Sequence, residues 1–140
     1  MNERISLVLK NNLAELERLA AEVTAWCSRQ ALSEEVDYQL NLVLDEVVSN
    51  VIRHGYRDKR QHEIRVDLDF QDGELTIQVE DDGVHFSPLQ VTPPDITKPI
   101  NERPVGGLGI YMVRQIMDSL DYRRETGRNS LIMKKRVGAA

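Results

Sequence analysis

"LVLDEVVSNVIRHGY", residues 42–56, carries two patterns at once. Val43, Val47 and Val51 continue a stripe begun by Val36 and Leu40, the spacing of one buried helix face, and Ser33 stands where that helix needs a cap. The helix is expected to end at Gly55. Along it, Glu46, Asn50 and His54 recur at intervals of four, which lines up a carboxylate, an amide and an imidazole beside the apolar stripe. Glu46 and Asn50 form a polar pair suited to a hydrated divalent ion or a hydroxyl near it. Taken alone, a solvated glutamate and a satisfied asparagine is the better reading of the same two residues, and His54 reads first as a contact with the helix terminus.

Working outward, residues 4–10 alternate with Ile5, Leu7 and Leu9 on one side, as a strand would. Asn12 and Glu15 resemble a capping box, and Leu13, Leu16, Ala20, Val23 and Cys27 repeat at helical spacing to about Arg29. Downstream, Ile64, Val66, Leu68 and Phe70 alternate, "QDG" turns the chain, and Leu75, Ile77 and Val79 alternate again, which predicts an antiparallel hairpin. From Gly83 to Gly106 the periodicity is lost, and all five prolines fall in this interval. A stretch of that length in a small domain is a lid, a binding loop or a linker. "GGLGIYMVRQIMDSL" then predicts a third helix with Ile110, Val113, Met117 and Leu120 as its apolar face, and "DYRRET" and "NSLIMKKRV" flank the turn signal "GRN" as a second hairpin.

The 140 residues suffice for one domain, taken as 1–140, with a real core and no need of disulfides or metals. Hydrophobic residues at 41%, charged residues at 29% and a net charge of -5 describe a globular protein that does not attach to DNA or anionic membrane by charge. Any anionic ligand must then be met by local donors. Cys27 is the only cysteine, which excludes an internal disulfide and a thiolate metal cluster. "MNERISLVLKNN" lacks a long apolar run, and no stretch approaches the ~20 apolar residues of a membrane span. A cytoplasmic protein is expected.

In "LTIQVEDDG", the two-residue period that turns Leu75, Ile77 and Val79 inward also turns Asp81 inward, while Glu80 and Asp82 point away. An inward carboxylate at a strand end costs free energy unless it receives hydrogen bonds, and Gly83 after it permits close approach by a flat ligand. A turn aspartate capping its own loop accounts for the residue equally well. In "GGLGI", Gly106, Gly107 and Gly109 precede a helix and leave backbone N–H groups free, which suits phosphate. Alone, that signal is no better than a structural turn.

The order of these signals is more specific than any one of them. A helix with Glu46 and Asn50, a strand ending in Asp81 and Gly83, and a loop leading to "GGLG" and a helix together resemble the Bergerat ATP-binding fold of the GHKL superfamily, which includes the gyrase B subunit and the catalytic domains of histidine kinases. The resemblance covers essentially the whole chain. It implies that Asn50 holds Mg²⁺, that Asp81 accepts a hydrogen bond from the adenine amino group of ATP, that Gly106, Gly107, Leu108 and Gly109 meet the phosphates, and that residues 84–105 form an ATP lid. Lys98 or Arg103, in that interval, reads equally as a cation for the phosphates or as a solvated loop charge. "DEVVSNVIRHGY", "DDGVHFSP" and "NSLIMKK" look most like the bacterial anti-sigma-factor serine kinases. In that family the glutamate corresponding to Glu46 is the proposed base for a serine hydroxyl. His85 stands where the superfamily often has the last glycine of D-x-G-x-G, and Val105 where many members have the first glycine of G-x-G-L-G. Side chains at these points leave the loops fewer flexible positions.

The expected fold is therefore an α/β (α+β) sandwich: a mixed, mostly antiparallel sheet covered on one face by three helices. The expected function is a Mg²⁺-dependent protein serine/threonine kinase that phosphorylates an antagonist protein of the STAS type and sequesters a sigma factor, with no direct nucleic-acid or membrane partner. Homodimers are an analogy from the resembled family. A nucleotide-sensing binding protein that transfers nothing is the alternative. A histidine-kinase catalytic domain would need an upstream helical hairpin, and the first strand is expected to begin at about residue 4.

Overall fold

The computed structural model describes residues 4–84 and 107–137, with only the backbone at 107 and 108. The expected lid beyond Val84, with Lys98, Arg103, Gly106 and the two departures His85 and Val105, lies outside the described residues. Helix α2 (Glu34–His54) forms as read: the Ser33 hydroxyl accepts a hydrogen bond from the Val36 N–H at 3.2 Å, and Val36, Leu40, Val43 and Val47 are buried along one face. Helix α1 (Glu15–Arg29) packs beside it, and helix α3 (Gly107–Ile116) packs against its other flank.

Among the described residues five strands make one sheet: β1 (Ile5–Lys10), β2 (Glu63–Gln71), β3 (Glu74–Asp81), β4 (Ser119–Glu125) and β5 (Arg128–Arg136), in the order β1-β2-β3-β5-β4. The expected mostly antiparallel sheet is antiparallel at all four of these ladders. One face carries the apolar set in register, with Leu9 opposite Ile64, Val66 opposite Val79, Ile77 opposite Met133 and Val79 opposite Leu131. The same residues join Val23 and Trp26 of α1, Val43 and Val47 of α2, and Val113 of α3 in one core. Ser6, Arg65, Gln78 and Ser130 occupy the other face, so hydropathy alternates as a half-buried antiparallel sheet requires. The Cys27 thiol sits in this core, where burial pushes its pKa up to about 12 and leaves it inert.

The structure revises four local readings. On α1 the buried face is Leu19, Val23, Trp26 and Cys27, whereas Leu13 and Ala20 are exposed. A step of three from Leu16 reaches Leu19, which buries more apolar area than the step of four to Ala20. Asn12 and Glu15 do not form a capping box: the Asn12 Oδ1 accepts from the Ala14 N–H at 2.9 Å, and Glu15 reaches back to the Lys10 N–H at 3.0 Å. Arg18 adds a 2.6 Å bond to the Val8 carbonyl, so these two side chains occupy polar groups on the outer edge of β1. Helix α3 stops at Ile116, and Leu120 belongs to β4, from which it still packs on the core. The second hairpin turns at Thr126 and Gly127, both at positive φ, so Arg128 and Asn129 lie within β5.

Ala31 follows α1 at φ 58°, with its N–H bonded to the Ser28 carbonyl and the Leu32 N–H to the Cys27 carbonyl. A left-handed helix terminus favours glycine. Ala31→Gly is expected to raise the free energy of unfolding by about 0.5–1 kcal/mol, net of the extra chain entropy of glycine. Urea denaturation checks this, and an unchanged or lowered midpoint would show that the turn carries no strain.

Candidate functional site

At the end of β3 the sheet turns from apolar to polar without changing register. Asp81 continues the inward series of Leu75, Ile77 and Val79 and is only 6% exposed, while Asp82 is exposed. Its cross-strand partner on β5 is Asn129, itself 4% exposed. The Asp81 Oδ1 accepts from the Gly83 N–H at 2.8 Å and from the Asn129 Nδ2 at 2.9 Å. Its Oδ2 has no partner among the described residues. Burial raises the Asp81 pKa above the ordinary carboxylate value, and the bonds from Asn129 and Gly83 pull it back. The turn-capping reading of Asp81 is thus half the story, since only one of its oxygens is used that way.

Gly83 acquires a reason that the sequence did not give. The Val84 N–H donates to the Gly55 carbonyl at 2.7 Å, and a Cβ at Gly83 would lie 2.4 Å from that carbonyl oxygen. The glycine is needed for the backbone at the end of α2 to pass against the end of β3.

Asp81 and Asn129 line a pocket whose walls are Val47, Asn50 and Val51 of α2, Val79 of β3, Ile110 of α3, and Tyr122 and Leu131 of the second hairpin. Apolar walls with a few convergent polar groups are the usual make-up of a small-molecule site. Asn50, 7% exposed, donates from Nδ2 to the Glu46 Oε1 at 3.0 Å. That bond fixes the amide with Oδ1 as its unengaged atom, an oxygen of the kind a hard cation takes. Among the described residues no group of three or more His, Cys, Asp or Glu side chains gathers to cage a metal unaided. Gly109, in the first turn of α3, backs directly onto Glu46: a Cβ there would fall 1.9 Å from the Glu46 Cδ and Oε1. The structure therefore brings Glu46, Asn50, Asp81 and Gly109 together, and the first turn of α3 supplies backbone N–H groups and the positive end of the helix dipole. His54 is exposed and joins none of these hydrogen bonds among the described residues.

Several residues at the site were not anticipated. Asn129, Tyr122 and Arg124 stand behind Asp81; the expected strands contain them, but periodicity does not say which residue of β5 lies opposite Asp81. Tyr56 stacks on His62 with ring centroids 4.3 Å apart, and its buried hydroxyl has no hydrogen-bond partner among the described residues. Burial, then the charge of Asp81, holds that phenol well above its ordinary pKa. His62 bridges Asp58 at 2.7 Å and Asp82 at 3.1 Å, and the Asp58 bond, with that to Asp82, raises the imidazole pKa.

An apolar pocket with a buried carboxylate, an amide with an unengaged oxygen and a glycine-opened helix start, on an antiparallel α+β sheet, suit a small-molecule site of the nucleotide-binding kind. Comparison with known proteins agrees. The model of the histidine kinase-like ATPase domain matches residues 9–135, and the chain belongs to that family. Among its relatives are the serine/threonine-protein kinase BtrW of Bordetella bronchiseptica, 25% identical over 118 residues spanning 81% of this chain and 83% of that one, and the serine-protein kinase RsbW of Bacillus mycoides, 31% identical over 99 residues. The latter match covers 68% of this chain and 61% of the relative's length. The fold matches a crystal structure of the RsbU and RsbW domains of Rv1364c from Mycobacterium tuberculosis with a TM-score of 0.72 at 14% identity, over 99% of this chain and 33% of that one. The Acinetobacter baumannii histidine kinase AdeS matches with a TM-score of 0.53 at 11% identity, over 95% of this chain and 68% of that one. These relatives bear out the family resemblance drawn from the sequence. No helix of the described residues is long and apolar enough to cross a membrane.

The contact between Gly109 and Glu46 generates a structural prediction. A methyl group at position 109 meets the far end of a flexible side chain rather than backbone, so it is the carboxylate that should yield. Gly109→Ala is expected to turn Glu46 to another rotamer and release the Asn50 amide, with the melting temperature changed by no more than a few degrees. A crystal structure and a thermal melt check both parts. Glu46 found unmoved, with α3 displaced instead, would contradict the assignment.

Proposed function

We propose that this chain is an ATP-dependent protein serine/threonine kinase that phosphorylates an antagonist protein and sequesters a sigma factor. The observation that carries the nucleotide part is the buried Asp81 with one oxygen tied back and the other left as an acceptor in an apolar pocket. Adenine offers what such an oxygen lacks, a flat apolar ring with an amino donor at its edge. Kinase activity is supported by the relatives that are named serine- or serine/threonine-protein kinases.

In this reading Asp81 accepts from the adenine amino group through Oδ2. Asn50 would offer Oδ1 to Mg²⁺, whose charge would screen the phosphates when bound. The bound Mg²⁺–ATP supplies the phosphoryl group and the charge neutralisation its transfer needs. Gly106, Gly107, Leu108 and Gly109 meet the phosphates, and the first-turn N–H groups of α3 are part of that contact. Lys98 or Arg103 supplies a positive charge to the phosphates. Glu46, held by Asn50 at Oε1, has Oε2 to receive the proton of an incoming serine hydroxyl. The acceptor is an antagonist protein of the STAS type, and the protein acts in the cytoplasm, without contacting nucleic acid or membrane.

The two neighbours on α2 should fail differently. Glu46→Gln keeps the shape and the bond to Asn50 but loses the base, so ATP affinity should stay near normal while transfer falls by roughly 10² to 10⁴. Asn50→Ala deletes the cation ligand and should weaken Mg²⁺-dependent ATP binding itself. Nucleotide titration beside single-turnover phosphorylation of the antagonist, recovered first by pull-down, separates them. Unimpaired transfer by Glu46→Gln would remove the base assignment; ATP binding with no transfer by the unmodified protein to any recovered antagonist would favour a nucleotide-sensing binding protein.

A further inference from the structure

We propose that Arg124, on the edge strand β4, is a positioning residue that sets the preference for adenine by orienting the amide of Asn129. The inference rests on the reading of Asp81 as the adenine acceptor and names the residue that prepares it.

Arg124 pairs in register with Asn129, and its Nη1 donates to the Asn129 Oδ1 at 2.7 Å and to the Gly83 carbonyl at 3.0 Å. The Tyr122 hydroxyl donates to the same Oδ1. A guanidinium has donors only, so whichever amide atom faces it must be the oxygen. The Nδ2 then faces three acceptors: Asp81 Oδ1 at 2.9 Å, the Gly83 carbonyl at 3.2 Å and the Val84 carbonyl at 2.9 Å. Rotating the amide by half a turn would oppose an NH₂ to the guanidinium and an oxygen to three oxygens, a mismatch at every contact. Arg124 thus decides the amide's polarity from behind the pocket, without lining it.

That polarity reaches the ligand through Asp81. With Oδ1 held by Asn129 and by the Gly83 N–H, the carboxylate is fixed about its last torsion, and Oδ2 is its unengaged atom. A fixed acceptor discriminates a donor from an acceptor at the ring edge more sharply than one free to rotate. Removing Arg124 leaves the Asn129 Oδ1 held by Tyr122 alone, so the amide is less firmly seated against Asp81 and the carboxylate gains freedom to turn. The loss should therefore fall on selectivity between base edges rather than on the phosphate contacts.

The test titrates ATP and inosine triphosphate, which carries an oxygen where adenine has its amino group, against the unmodified protein, Arg124→Met and Tyr122→Phe, with thermal melts of each. The unmodified protein should prefer ATP. Arg124→Met, a change at an exposed edge position, should lose about tenfold in ATP affinity, the cost of one misaligned charge-assisted hydrogen bond, with inosine triphosphate affinity nearly unchanged. Tyr122→Phe should move the preference the same way by less, and carries the test alone if Arg124→Met does not fold. An intact preference, or equal loss for both nucleotides, would overturn the role of Arg124 and leave the adenine reading standing. An unmodified protein that binds both nucleotides alike would remove the adenine reading and this inference with it.

Discussion

A carboxylate is buried at the end of an otherwise apolar strand, and the local architecture exists to make that tolerable. Desolvation opposes the charge of Asp81, so bonds from the Gly83 N–H and Asn129 are obligatory rather than incidental. The Gly83 bond needs the chain to turn immediately after β3, and the Gly55 carbonyl against Gly83 ties that turn to the end of α2. The Asn129 bond needs β5 to lie between β3 and β4 in a register that puts residue 129 opposite residue 81. Because the folded-state pKa is raised, ionising Asp81 works against the fold as pH rises from the ordinary carboxylate value through the raised one. Such a cost is retained where a charge is useful.

Two asparagines at the site are oriented by ions of opposite sign. Glu46 accepts from Asn50 and turns its amide oxygen loose, whereas Arg124 donates to Asn129 and turns its amide nitrogens toward Asp81. An amide alone can present either end; beside an acceptor-only or a donor-only group it presents one. Glu46 has a second constraint in Gly109, whose lack of a side chain lets the carboxylate keep its present rotamer against α3. Asn50 and Asn129 are thereby held on α2 and β5, whose apolar residues belong to the core, while α3 brings Gly109 and Ile110 beside them.

Much of this was legible in the sequence because periodicity encodes burial. The valine stripe of α2, the inward parity of Asp81 and the alternation of β2 and β3 all follow from hydropathy at spacings of four or two, and the sheet with its helices follows from them. What failed were features set by size or by turn chemistry. On α1 a spacing of four was satisfied by Ala20, but packing chose the larger Leu19 and Trp26. The "GRN" signal set the turn slightly late, at 127–129 rather than at Thr126 and Gly127, and the pairing of Asn129 with Asp81 could not be read, since a strand partner is set by register and not by composition. Arg124 was unreadable for a different reason: its role depends on what lies across the strand, and an exposed arginine on an edge strand looks like any solvated charge.

The central claim is that the unengaged oxygen of Asp81 receives the adenine amino group. Calorimetric titration of Mg²⁺–ATP into the unmodified protein and Asp81→Asn tests it most directly, because the amide can still accept from Gly83 and Asn129 through one oxygen but then turns a donor toward the ligand. The account predicts a loss of about 1–3 kcal/mol in binding, with thermal stability kept or raised by removal of the buried charge. Equal affinity of the two forms for ATP would contradict it.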